Sequence, residues 1–501
     1  MARSHRSVPG AADEALLRQL GYQPQLTRRM SGFGNFSISF SVISILSGCM
    51  TLYGFGLGAG GPAVMMWGWV GVGAMVMLVG SALAEVTSAY PTSGALYFMA
   101  DRLGGKGWGW YTGWLNLLGL LGGIAGIDYG AATFIGALAN LQFGFTPTPG
   151  KLMVIYTVIL LLHALLNLAG VRLVSVLNSI SVWWHLGGVL LIVGALLLVP
   201  SQHQSTSWVF GHYANSTGWH NPLYVALIGL LMAQYTFSGY DASAHLSEET
   251  VSAALSAPQG IVRSIWVSWA AGLVLLFGLT FAIKDYAATA GTATGVPPAQ
   301  IFLDALGTRG AEGLLIVVIL AQLFCGNAET AAASRMVFAF SRDGALPGSA
   351  WWRRTSARTG TPVAAVWLSV VAAWLLALPA LWSMTAYNAV TAINIVGMTP
   401  AYAIPVYLRL RAKSRFTPGP WTLGRWSRPI GIAAVAWVVV VTVLVCLPQS
   451  NPITADSFNY APLALGAVLL LATVWRWIAG RSYTPPAAAS ARMTELAGEI
   501  V

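Results

Sequence analysis

Long apolar runs, broken by short stretches of small or polar residues, recur along the whole chain. Reading each run with its interruption predicts twelve helical spans, near residues 33–57, 63–85, 108–137, 152–170, 173–199, 222–246, 262–284, 312–340, 362–384, 386–408, 430–448 and 458–479. Most match the roughly 20 apolar residues that one bilayer crossing requires. Two joins are short: Gly170 to Arg172 separates the fourth and fifth spans, and little more than Ser383 divides the ninth from the tenth. The pattern predicts an all-α membrane protein with polar tails at 1–30 and 481–501. Ten spans fill 31–410, a basic loop follows at 411–428, and two further spans occupy 429–480.

Composition supports the lipid setting. Of 501 residues 56% are apolar and 8% charged, whereas a soluble domain carries about 25% charged residues. The net charge of +10 would suit nucleic acid, but the cations lie in loops between apolar spans and follow membrane topology instead. With the N-terminus placed in the cytoplasm, the outer loops hold only Lys151, Lys284 and Arg309. The inner side takes Arg353, Arg354, Arg358, Arg409, Arg411, Lys413, Arg415, Arg425 and Arg428 among others, as the positive-inside rule requires. Both termini are therefore expected in the cytoplasm and the protein in the cytoplasmic membrane. Aromatic residues gather near span ends (Trp108, Trp110, Tyr111, Trp475, Trp477). The first 30 residues carry Arg3, Arg6, Arg18, Arg28 and Arg29 without the apolar run and cleavage site of a leader. Cys49, Cys325 and Cys446 match no disulfide or zinc spacing.

Two spans are not ordinary. The first has Ser47-Gly48 at its middle and the sixth has Ser238-Gly239, followed by Asp241. Freed backbone groups at membrane depth are tolerated only where they line a protein cavity. Interrupted segments at matching positions of two halves point to a transporter site at an inverted-repeat interface. Small pairs of this kind also permit close helix packing.

Several ordered motifs resemble the amino acid–polyamine–organocation superfamily and, within it, the amino acid/choline transporter family, whose members include γ-aminobutyrate and choline permeases. Ser47-Gly-Cys-Met-Thr-Leu-Tyr-Gly54 is similar to its first helix, and Glu85 with Pro91, Ser93, Gly94 and Tyr97 to the signature after the second. Asn178 to His185, Phe237 to Glu249, and Ala333 to Pro347 resemble the fifth, sixth and eighth helices. The resemblance covers about residues 31–410. It implies a leucine-transporter-like fold, with two inverted five-helix repeats, broken helices 1 and 6, and two added C-terminal helices. Substrate would lie between the broken helices, walled by the third, eighth and tenth. Here Leu46 precedes Ser47-Gly48 where the superfamily often has Gly-Ser-Gly, which would narrow a nest of backbone amides.

Ionisable residues inside a membrane usually face a cavity and mark function. Asp128, Glu329 with Thr330, and Asp241 are expected to balance a substrate ammonium or a coupling cation. Tyr235, Phe237 and Tyr240 are expected over the organic part. Backbone amides at Ser47, Gly48, Cys49, Ser238 and Gly239 are expected to take a carboxylate. His185 in the fifth span is the candidate for proton coupling; Na⁺ is the alternative, and little hydroxyl content near Thr330 favours the proton. His163 reads as packing. Glu85, Arg335, Arg342 and Asp343 are expected at a cytoplasmic gate.

These readings predict a permease for small amino acids or amines such as γ-aminobutyrate, working by alternating access without cofactor or metal. A choline or polyamine permease is the alternative of the same fold, and a non-transporting sensor or a membrane enzyme the alternatives of other classes. His163 and His185 lie on different spans with no ligand spacing, which argues against the enzyme. Gly56-Leu-Gly-Ala-Gly-Gly61 matches a nucleotide-binding pattern but follows a membrane span.

Overall fold

The structure, a computed structural model, describes residues 11–292 and 295–485. The outer parts of both expected tails, 1–10 and 486–501, lie outside the described residues, as do the side chains of residue 11 and of 384–391. The described chain is helical, with two isolated β-bridges, Met30–Thr250 and Ala59–Asn215.

The helices run in order α1 (Ala11–Gln19), α2 (Gly32–Ile43), α3 (Ile45–Thr51), α4 (Tyr53–Gly58), α5 (Gly61–Ala89) and α6 (Ala95–Gly104). Next come α7 (Lys106–Phe143), α8 (Pro149–Leu168), α9 (Val171–Leu198), α10 (Thr206–Gly211), α11 (Pro222–Thr236) and α12 (Ala242–His245). The rest are α13 (Ala253–Phe281), α14 (Tyr286–Ala290), α15 (Pro297–Arg342), α16 (Ser349–Trp352), α17 (Val363–Ala377), α18 (Met384–Ala412), α19 (Ser427–Cys446) and α20 (Ala461–Ala479).

Ten helical stretches among the described residues are long and apolar enough to cross a bilayer. The expected sixth and tenth spans correspond to α11, which has 15 residues, and α18, which has 29. The short join before the fifth span is made by Gly170, whose φ of 113° suits glycine. The eighth element is longer than expected: α15 starts at Pro297 and turns at Gly307, where φ is 70°.

The packing is inverted relative to a soluble protein. Leu190, Leu191, Leu470, Leu471, Trp477 and Ile478 point outward, each more than half exposed, while Asp128, His163, His185 and Glu329 are buried. A water-soluble surface does not carry so continuous an apolar coat; lipid removes its cost. Helix α7 lies at the centre, packed along α18, α15 and α8.

Both expected interruptions exist, with one shifted. In the sixth segment α11 ends at Thr236 and α12 begins at Ala242, with Gly239 at φ 85°. In the first segment the break falls at Ser44 (φ 33°, ψ 84°), and helix α3 then runs through Ser47-Gly48. The expected centre at Ser47-Gly48 is corrected by three residues. Gly48 serves contact instead: a Cβ there would stand 2.6 Å from the Thr236 hydroxyl. The segments lie antiparallel, since α2 packs on α12 and α3 on α11.

Candidate functional site

A small cavity opens where the two interrupted segments face α7, α15 and α18; its non-atom space, open solvent included, is about 340 Å³. The first segment gives it Val42, Ile43, Ser47 and Gly48, and the sixth gives Tyr235, Thr236, Ser238 and Gly239. Helix α7 adds Gly123 and Ile127, α15 adds Cys325 and Glu329, and α18 adds Asn394.

Among the described residues of this wall Glu329 is the one acid, and no Lys or Arg shares it. Its carboxylate fits because Gly123 lacks a side chain: a Cβ there would overlap Oε1 and come within 2.9 Å of Asn394 Nδ2. Oε2 is buried and has no hydrogen-bond partner. An ionised carboxylate in that position is costly unless a donor arrives. Asn394 is itself held, donating to the Gly119 carbonyl (2.9 Å) and accepting from Ser238 Oγ (3.4 Å).

The sixth-segment break is clamped from behind. Tyr402 Oη accepts the Gly239 amide at 2.9 Å and donates to Asp241 Oδ1 at 2.9 Å. Asp241 Oδ2 lies 3.2 Å from both Asn116 Nδ2 and His245 Nε2. Asp241 is thereby tied to the break and stays out of the cavity wall. Phe237 packs on Trp69 with centroids 4.3 Å apart, and Tyr240 on Tyr402 at 4.5 Å; neither covers the cavity. Tyr235 does.

The first-segment break is held by His185. Its Nδ1 lies 2.8 Å from the Ser181 carbonyl, so Nδ1 carries the hydrogen. Nε2 then accepts from Ser44 Oγ at 2.7 Å. A non-glycine residue in left-handed backbone costs about 1–2 kcal/mol, and this bond tethers Ser44 in it. The carbonyl of Val42, freed by the break, takes the Cys325 thiol hydrogen (3.2 Å).

Amide capture of a carboxylate at the breaks is not matched by this geometry. The Ser47 and Gly48 amides donate to Ser44 O at 2.8 and 2.9 Å, the Ser238 amide to Tyr235 O, and the Gly239 amide to Tyr402. Cys49 and Thr330 are buried outside the wall, and Thr330 Oγ1 has no partner. Of the expected substrate residues, Ser47, Gly48, Tyr235, Ser238, Gly239 and Glu329 meet at one cavity. Cys49, Asp128, Phe237, Tyr240, Asp241 and Thr330 do not. Asp128 turns away to His163, whose Nδ1 lies 3.0 Å from Oδ2, so His163 is more than packing.

A second polar assembly closes the face that carries α1. Arg335 meets Glu249 (Nη2–Oε1 3.1 Å) and is fully buried. Arg342 grips both oxygens of Glu248 at 2.8 and 2.9 Å, a fork geometry that strengthens ion pairs. Asp343 Oδ2 accepts from Tyr22 (2.7 Å) and Tyr97 (2.9 Å). Burial pushes the Asp343 carboxyl up to about 6, against Arg342 and the two phenols. Burial likewise raises Glu249 despite Arg335. Burial also opposes the charge on Glu248, yet the Arg342 guanidinium holds that carboxyl below its ordinary value. Arg335, Arg342 and Asp343 thus come together as expected. Glu85 stands apart: it accepts from Thr422 Oγ1 (2.9 Å), the Leu423 amide and Ser427 Oγ, and lies 3.2 Å from Arg409 Nε. It anchors the 411–428 loop.

Sequence reading missed Glu248 and Glu249, though Arg335 and Arg342 lie seven apart, two turns along one helix face, opposite an adjacent acidic pair. Asn394 and Tyr402 carried no signal beyond being polar in an apolar span.

Comparison with known proteins agrees with this architecture. The family model described as amino acid permease matches residues 32–470. The amino-acid permease BAT1 homolog of Oryza sativa subsp. japonica is 39% identical over 483 residues, covering 92% of this chain and 93% of that one. Amino-acid permease BAT1 of Arabidopsis thaliana is 38% identical over 492 residues, covering 94% and 95%. The GABA-specific permease of Saccharomyces cerevisiae is 31% identical over 486 residues, covering 94% and 85%.

Proposed function

From the premise that the chain belongs to the amino acid permease family, and is a membrane transporter of amino acids rather than an enzyme, we propose a narrower reading. It is a proton-coupled carrier of small amino acids or amines such as γ-aminobutyrate, working by alternating access. The observation that carries it is Glu329: a buried acid with a free oxygen, facing a small cavity that holds no cation of its own. An ammonium on the substrate supplies the missing partner, and Ser47, Ser238 and Asn394 offer polar contact to the remainder. The GABA-specific permease of Saccharomyces cerevisiae, 31% identical, supports that substrate class.

Twelve crossings follow when α11 with α12, and α18, are counted with the ten long helices. The antiparallel contact of the interrupted segments supports two inverted sets of five, followed by α19 and α20. The cation-rich loops support a reading in which both termini are cytoplasmic, with the carrier in the plasma membrane. The Arg335–Glu249 and Arg342–Glu248 pairs form the cytoplasmic gate, which must part for release. His185 links the fifth helix to the break at Ser44. The low hydroxyl content beside Thr330, followed by Ala331–Ala333, supports the proton over sodium.

A second reading has one observation behind it. Because the break amides are already bonded, an amine without a carboxylate, choline-like or a polyamine, also meets the demands of Glu329 and Tyr235. Uptake by proteoliposomes of labelled γ-aminobutyrate, alanine, choline and putrescine, with acid outside, separates the two. Accumulation of the amino acids supports the first reading. Accumulation of choline or putrescine alone replaces it, and binding without accumulation makes the protein a sensor.

A further inference from the structure

Behind the cavity wall, on the side away from α18, lies a buried pair that the substrate site leaves unused. Asp128 of α7 and His163 of α8 are both fully buried. We propose that this Asp128–His163 pair is the proton-binding site through which the carrier is coupled, a deepening that rests on the transport reading above.

Among the described residues the hydrogen-bond pattern leaves the pair two vacancies of one kind. Nδ1 of His163 faces a carboxylate oxygen at 3.0 Å, so in the neutral ring Nδ1 is the donor and Nε2 holds a lone pair. That Nε2 has no partner, and neither has Asp128 Oδ1. Both unpaired atoms are acceptors. The neighbouring polar groups do not reach them: Asn167 Nδ2 donates to the carbonyl of His163 and to Asn327 Oδ1. The pocket is also tight. A Cβ on Gly326 of α15 would overlap Asp128 Oδ1 and stand 2.7 Å from His163 Cε1. Among the described residues no group of three or more His, Cys, Asp or Glu side chains is placed to hold a metal ion. A proton fits: the Nε2 lone pair takes it from hydronium, forming N–H as an O–H bond breaks and releasing water, and it leaves by the reverse step.

The pair shares two helices with the substrate acid. Ile127, next to Asp128, lines the cavity, and Gly123 on the same helix bears on Glu329. Gly326 lies one turn before Glu329 on α15. The ionisable groups nearest in sequence position on the packed elements are Glu329 and Cys325 on α15, Tyr129 on α7, Tyr156 on α8, Cys49 on α3 and His185 on α9; farther along, α15 carries Asp304, Arg309, Glu312, Arg335 and Arg342, α7 Lys106 and Tyr111, α8 Lys151 and α9 Arg172. Helix α17 carries none, and Tyr402 of α18 is bonded to Asp241. When His163 is neutral and both acids are ionised, the pair has a charge of −1 and Glu329 adds another. An ammonium at Glu329 and a proton at His163 cancel both. Closing a dehydrated site around unpaired charge is costly, so the doubly loaded carrier changes conformation most readily. The coupling lies in that step rather than in mutual affinity, because the two cations repel.

Two measurements decide it. In wild-type protein labelled with ¹⁵N-histidine, His163 is identified by its Nδ1 contact with the Asp128 carboxylate carbon. Its Nε2 signal is expected to show both an unprotonated and a protonated form as the sample is acidified; a single form throughout overturns the proposal. In proteoliposomes under a one-unit pH gradient, one-to-one coupling gives about tenfold accumulation of labelled γ-aminobutyrate or alanine. His163→Gln and Asp128→Asn are expected to fall to about onefold while still exchanging label for unlabelled solute. Full gradient-driven accumulation by His163→Gln overturns the assignment and leaves the transport reading standing. A wild type that takes up neither solute sinks the transport reading, and the histidine titration then decides the site alone.

Discussion

Glu329→Gln separates a substrate-binding role from a structural one, because the two predict opposite outcomes in two measurements. The amide keeps the shape of the carboxylate beside Gly123 and Asn394 but removes its charge. A hydrogen bond to a charged group contributes about 1.5–3 kcal/mol, and each 1.4 kcal/mol is tenfold in affinity, so substrate should bind about 13- to 160-fold more weakly. The empty protein responds differently. Oε2 has no partner there among the described residues, so the amide gives up no protein hydrogen bond at that oxygen, and the Tm without ligand should hold. A structural carboxylate would give the reverse, with unchanged affinity and a lower Tm. The assay is thermal shift across a γ-aminobutyrate and alanine titration, together with uptake at several concentrations. An affinity equal to wild type, with expression intact, removes Glu329 from the site.

Three further changes test other parts of the structure. Arg335→Gln leaves Glu249 buried without its partner and should cost about 3–5 kcal/mol of stability; adding Glu249→Gln should restore most of the lost Tm, and failure of that rescue counts against the pair. The Asp343 carboxyl, raised to about 6 from 3.8, binds its proton more tightly in the folded than in the unfolded chain. Stability should therefore fall as pH rises from about 4 to 6, by something on the order of 3 kcal/mol, and Asp343→Asn should flatten that slope in pH-dependent melting curves. Gly239→Ala meets both a left-handed backbone (φ 85°) and overlap with Val42, so uptake should collapse. Gly71→Ala, with open space around it, should stay within about 0.5 kcal/mol of wild type.

How far the site was legible can be argued from particular residues. Glu329, Tyr235 and the Ser238-Gly239 interruption could be read from the chain, because an acid or a glycine at membrane depth is exceptional whatever surrounds it. Asp128 and Asp241 looked equivalent to Glu329 by the same rule. Only the side chains opposite them, His163 in one case and Tyr402 with His245 in the other, turned both away from the cavity. The break in the first segment shows the same limit. Ser47-Gly48 signalled weak helix, but the interruption settled at Ser44, where His185 from another helix supplies a hydrogen bond.

The sequence by itself determined that this chain is a helical membrane protein, because lipid imposes length, hydropathy and charge asymmetry on every span locally; the transport family came from the resemblance of its ordered motifs. The tertiary structure alone decided which buried acids face substrate, which grip a neighbouring helix and which Arg meets which Glu. Those choices depend on contacts between residues tens to hundreds of positions apart, such as Asp128 with His163 or Arg335 with Glu249, and no local periodicity encodes which distant partner a buried charge will find.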